Sequence, residues 1–136
     1  MNFAPLQYQS GRIKAFNPSD SGITKGDALE FEADGSVSQA DDATKEVKFV
    51  AMQDYDGLDG EDHLLAVSTE SVEFVAQCAD DTDDDQVGKV CNLTAEGLVD
   101  NAGDDGDVFR ITKVLGTSEN KEVRGYFLDR VSKENE

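Results

Sequence analysis

Apolar and polar residues alternate along most of this chain. Leu29, Phe31 and Ala33 alternate with Glu30, Glu32 and Asp34, and Val47, Phe49 and Ala51 with Lys48, Val50 and Met52. Val72, Phe74, Ala76 and Cys78 alternate with Glu73, Val75 and Gln77. Towards the C-terminus, Phe109 and Ile111 alternate with Arg110 and Thr112, and Val123, Gly125 and Phe127 with Arg124, Tyr126 and Leu128. Successive side chains of a strand point to opposite faces, so each block predicts a β-strand with one buried face. Leu64–Val67, Val87–Leu93 and residues 6–16 are shorter strand candidates.

Turn chemistry separates these blocks. Asp34-Gly35, Asp56-Gly57, Asp59-Gly60, Glu96-Gly97 and Asp105-Gly106 fall between them. Glycine tolerates positive φ and aspartate bonds back to its own backbone, so such pairs favour tight reversals. Gly116–Asn120 is expected to join the last two strands as a longer hairpin loop. The best helical candidate, Asp41–Glu46, is too short to stand alone. Strands at roughly 10–15-residue spacing without a helical period predict an all-β fold, a small antiparallel β-barrel or sandwich. Pro5, Pro18 and the polar run Asn17–Gly22 interrupt the start of the chain. Residues 1–22 are therefore expected as an extended N-terminal arm, 23–130 as the body and 131–136 as a polar C-terminal tail. A plain first strand with a frayed terminus is the competing reading of the arm.

Charge sharpens that division. The chain of 136 residues has a net charge of −18. Residues 1–25 hold Arg12, Lys14 and Lys25 against Asp20 alone, a net of +2, which leaves −20 for the other 111 residues. The same stretch bears Phe3, Leu6, Tyr8, Ile13 and Phe16. A mildly basic, aromatic-bearing leader on an acidic body suits a docking arm. The acidic field repels phosphate backbones and anionic lipid, which argues against nucleic acid or membrane as a partner. The N-terminus lacks the pattern of a secretory signal, and no apolar run reaches the length of a membrane span, so synthesis in a cytoplasm is expected. Cys78 and Cys91 sit in apolar strand patterns and are expected as reduced core thiols, with a cross-strand disulfide as the alternative.

Catalytic signatures are missing from the sequence: it has no phosphate loop, dinucleotide fingerprint or nucleophile elbow, and the expectation is a non-enzyme. His63 is the single histidine, and a thiolate partner in this acidic field would be hard to ionise. Three loops are dense in carboxylates. Asp54, Asp56 and Asp59 lie in the first, Asp80, Asp81 and Asp83 in the second, and Asp104 and Asp105 in the third. Hard cations such as Ca²⁺ take six to eight oxygens, so these eight aspartates are candidate ligands if the loops share one rim. The first loop is no EF-hand: counted from Asp54, Asp59 replaces the glycine at the sixth position and Leu65 the glutamate at the twelfth. Solvated turns are the plainer account of all three. Asn92-Leu93-Thr94 fits a glycosylation acceptor but lies in a strand pattern.

Ile23-Thr24-Lys25-Gly26-Asp27-Ala28-Leu29, then Asp34-Gly35-Ser36-Val37, then Phe49-Val50-Ala51-Met52 resembles the opening of tailed-bacteriophage capsid decoration (cement) proteins. Gln86-Val87-Gly88-Lys89-Val90 and the closing strands Asp107–Val114 and Glu122–Leu128 continue the likeness over residues 23–128. The resemblance implies a small β-barrel on the outside of an icosahedral shell, bound to the major capsid protein, often as a homotrimer, often with an arm across neighbouring subunits. It implies no catalytic residues. Phe3, Leu6, Tyr8, Arg12, Ile13, Lys14 and Phe16 match such a capsid-binding arm by position and character. A Ca²⁺-dependent β-domain on a virion or cell surface is the alternative.

Overall fold

The computed structural model describes residues 3–6, 13–18, 22–55, 64–103, 106–115 and 121–128. It is an all-β protein of the sandwich or small-barrel type, with two antiparallel sheets. Strands are numbered in chain order. The six-stranded sheet runs β1 (Phe3–Pro5), β7 (Phe74–Gln77), β11 (Glu122–Phe127), β10 (Phe109–Val114), β8 (Val90–Leu93) and β9 (Val99–Asp100). The five-stranded sheet runs β2 (Ile13–Phe16), β6 (Leu64–Ser68), β5 (Phe49–Ala51), β3 (Ala28–Phe31) and β4 (Val37–Gln39). Among the described residues the only helical element is a 3-10 turn at Asp84–Gln86. Among the described residues no helix is long and apolar enough to cross a membrane.

Each sheet curls so that its last strand returns towards the chain leaving an early one. A parallel bridge joins Cys78 to Val99, and the Ala79 amide donates to the Val99 carbonyl at 2.9 Å. That contact brings β9 back beside the end of β7. In the other sheet Pro18 bridges Val37, and the Val37 amide donates to Asn17 at 2.9 Å, which brings β4 back beside the end of β2. Curling of this kind satisfies edge groups that a flat sheet would leave open.

The seven phenylalanines divide into two clusters. Phe3, Phe74, Phe109 and Phe127 stack on the inner face of the six-stranded sheet, with ring centroids 4.8–6.5 Å apart in tilted or edge-to-face pairs. Edge-to-face packing of this sort adds about 0.5–1.5 kcal/mol per pair beyond area burial. Cys91, Ile111 and Val123 extend this core, and Ala28, Val50 and Val67 reach it from the five-stranded sheet. Phe16, Phe31 and Phe49 form the second cluster, 4.6–6.0 Å apart, above Leu29, Val37, Ala51, Leu64 and Ala66.

Alternation predicts the six-stranded sheet well: Phe74, Ala76, Phe109, Ile111, Val123 and Phe127 are all buried on one face. The five-stranded sheet differs. Ala28 and Leu29 are both buried, and so are Val50 and Ala51, because one face meets the main core and the other the second cluster. Phe31, expected to be buried, is 44% exposed. At the strand boundaries, β8 begins at Val90 and leaves Val87 exposed, and Asp41–Glu46 forms a turn in which the Thr44 amide donates to Asp41. Three short strands, β1, β4 and β9, escape the sequence pattern because three- and two-residue segments are too brief to display a period.

The segment expected as an arm contributes a strand to each sheet. Phe3, Ala4 and Pro5 pair antiparallel with Ala76, Val75 and Phe74, and Ile13–Phe16 pair with Val67–Leu64. The hairpin loop at Gly116–Asn120 and the C-terminal tail lie outside the described residues.

Candidate docking surfaces and acidic loops

The Lys25-Gly26-Asp27 turn ties the first strand to the body. Gly26 adopts φ +94°, a left-handed conformation that glycine accepts without steric cost. Its amide donates to Ala51 and its carbonyl accepts from Phe3, both at 2.8 Å. Asp27 accepts from the Thr24 amide at 2.8 Å and from Gln39 Nε2 at 2.7 Å. Partial burial opposes ionisation of Asp27, whereas the hydrogen bonds from Thr24 and Gln39 favour it, and on balance the carboxyl is held below its ordinary value.

Residues expected on the arm now separate by environment. Phe3 is buried among the core phenylalanines and has no surface to offer a partner while β1 is docked. Ile13 packs half-buried against the same core. Leu6 is 40% exposed, and Lys14 is exposed on β2. Phe16 is half-buried and stacks against Phe31 with centroids 5.4 Å apart. Tyr8 and Arg12 lie outside the described residues. Sequence reasoning missed Phe31 and Phe49 as neighbours of Phe16, since they stand far off in sequence and meet only through sheet curvature. The one available signal was a phenylalanine near the Asp34-Gly35 turn, where a strand is about to leave its sheet.

Within the described parts of the acidic loops, Asp54 and Asp83 accept hydrogen bonds from backbone amides. Asp54 accepts from the Lys25 amide at 2.8 Å. Asp83 caps the 3-10 turn by accepting from the Asp85 amide at 2.9 Å. Asn101, almost wholly buried, organises the second loop. Its Nδ2 donates to the carbonyls of Asp80 and Asp81 at 3.0 Å each and to Gln86 Oε1 at 3.2 Å, while its Oδ1 accepts from the Asp80 amide at 3.0 Å. The Lys89 ammonium donates to the Asn101 carbonyl at 2.7 Å. Among the described residues no group of three or more His, Cys, Asp or Glu side chains is placed to hold a metal ion. Asp56, Asp59, Asp104, Asp105 and His63 lie outside them.

Cys78 and Cys91 are free thiols on the inner side of the curled sheet. Burial pushes Cys78 up to about 12 and Cys91 to about 11, so both remain protonated at neutral pH.

The architecture defines a class, the two-sheet all-β protein with curled antiparallel sheets, and this chain is one. Comparison with protein-family models, with curated proteins and with solved structures returned no match.

Proposed function

We propose that this chain is a structural virion protein that decorates the outside of an icosahedral capsid, with the major capsid protein as its partner and a homotrimer as its assembled form. The β2 strand, rather than a free arm, is the docking element. The observation that supports this reading most is the coincidence of an open strand edge with exposed aromatic surface. Along Ile13–Phe16, β2 has one strand neighbour, β6, among the described residues, and closure against β4 begins only at Asn17. Phe16 and the exposed Phe31 stand beside that edge, and Lys14 lies on the same strand. An extended segment of the shell protein would add beside β2 through main-chain hydrogen bonds, with the rings supplying side-chain selectivity. Many copies on one lattice would then stabilise it through avidity.

Co-sedimentation with assembled shells of a tailed-bacteriophage major capsid protein tests the reading. The intact chain should pellet with shells at a saturating ratio. A Lys14→Glu variant should bind about tenfold more weakly with its melting curve little changed, since that side chain is exposed. An intact chain that stays in the supernatant refutes the decoration role, and undiminished binding by the variant refutes the β2 edge. Deleting residues 1–16 is an unsuitable test, because it also removes Phe3 from the core.

A further inference from the structure

The outer face of the six-stranded sheet concentrates positive charge in a chain whose net charge is −18. Arg110 on β10 pairs across to Tyr126 on β11, so both lie on the face opposite the core. A β-bulge follows: the register shifts between Ile111 and Lys113, which sets Lys113 directly opposite Arg124. Like charges facing each other across a strand pair are destabilising, and a bulge re-aims side chains. Without the shift, Thr112 would stand there instead. Neither Lys113 nor Arg124 has an ion-pair partner among the described residues, and Arg124 Nε is buried without a hydrogen-bond partner. Two acids share this face: Glu73, which accepts from Thr112 Oγ1 at 2.9 Å, and Glu122 at the start of β11.

The same molecule bears the complementary surface. Asp80, Asp81, Asp83, Asp84 and Asp85 crowd one loop, none with an ion-pair partner among the described residues. Asn101 fixes that loop in place, so little conformational freedom remains to be lost on contact. We propose that the Arg110–Lys113–Arg124 face docks a second copy of this chain, which presents its Asp80–Asp85 loop. The two surfaces differ, so the contact is heterologous and repeats head to tail, closing into a ring or extending as a filament. Overall repulsion between acidic bodies is screened beyond about 8 Å at physiological ionic strength, whereas ion pairs in direct contact persist. This contact needs no shell, so its test is independent of capsid binding.

Sedimentation velocity of the intact chain over a concentration series up to about 100 µM, at about 0.15 M salt, provides the test. The chain should self-associate. Lys113→Glu/Arg124→Glu and, separately, Asp83→Lys/Asp84→Lys should each raise the dissociation constant at least about tenfold. Mixing the two reversed variants should restore the heavy species, because each then offers the other an opposite charge. Lys113→Gln/Arg124→Gln removes the cations without adding acids, and it should weaken association even if the reversal impairs folding. A monomeric intact chain, association unmoved by the glutamine variant, or a mixture of folded variants that stays monomeric would each overturn the proposal.

Discussion

The amide of Phe3 donates to the carbonyl of Gly26 across 2.8 Å, joining the first strand of one sheet to the turn that opens β3 of the other. Gly26 in turn donates to Ala51, so one residue in a left-handed conformation links three segments. The Phe3 ring completes the arrangement by packing on Phe74, Phe109 and Phe127. The chain start is thus a stabilising element of the fold, which governs what its alteration does.

Phe3→Ala should destabilise the protein by about 3–5 kcal/mol, the range for removing a buried phenylalanine. Chemical denaturation would measure it. A loss below about 1 kcal/mol would mean that β1 is not docked in solution.

Gly125→Ala should be among the most damaging single changes. A β-carbon there would lie 2.2 Å from the Arg110 carbonyl oxygen and 2.5 Å from the Phe109 ring. Backbone cannot yield as a flexible side chain can, so at least about 3 kcal/mol of stability should be lost, with β10 and β11 forced apart. Unchanged amide exchange along the hairpin would contradict this.

Asn101→Ala should release the Asp80–Gln86 segment. It deletes the donors to Asp80, Asp81 and Gln86 and the acceptor for the Asp80 amide, an expected cost of about 2–3 kcal/mol. Hydrogen exchange at Asp80 should accelerate while exchange in β11 keeps its order of protection. Asn101→Asp preserves the acceptor and loses the donors, so it should show fast exchange at the loop with a smaller change at Asp80.

The two thiols should resist alkylation at pH 8 in the native state and react fully once unfolded. Their folded values of about 12 and about 11 exceed the ordinary 9.0. The unfolded chain therefore releases these protons first as pH rises. The stability tied to the neutral thiols is complete below about pH 9 and is lost between there and about pH 11–12. Cys78→Ala/Cys91→Ala should show a shallower alkaline decline in melting temperature than the parent.

Asp27 gives the opposite limb. Its carboxyl is held below the ordinary 3.8, so its contribution is present above that pH and disappears as pH falls through the lower folded value. Asp27→Asn should be less stable near neutrality and lose less on acidification below pH 3.8. An acid limb identical to the parent's would refute the role of the Thr24 and Gln39 hydrogen bonds.

Much of the fold was legible in the sequence. Phe74, Ala76, Phe109, Ile111 and Val123 obey a period of two because their sheet has one buried face. Turn residues marked reversals correctly at Asp34-Gly35 and Glu96-Gly97, where both glycines adopt positive φ. The candidate docking residues were less legible. Phe3 and Phe16 are alike in composition and near in sequence, yet one lies in the main core and the other beside solvent. Which face of which sheet each meets depends on partners 73 residues away in the first case and 48 in the second, Ala76 and Leu64.

Alternation, turn chemistry and the lean apolar content determined an all-β chain with its charge concentrated in loops, since these follow from local backbone geometry and from which side chains water will solvate. Only the tertiary structure decided that the basic, aromatic N-terminal stretch belongs to both sheets, that the five-stranded sheet is apolar on both faces, and that Lys113 stands opposite Arg124. Those outcomes rest on strand pairing, curvature and a single bulge. Such long-range register choices leave no periodic trace in the residues that make them.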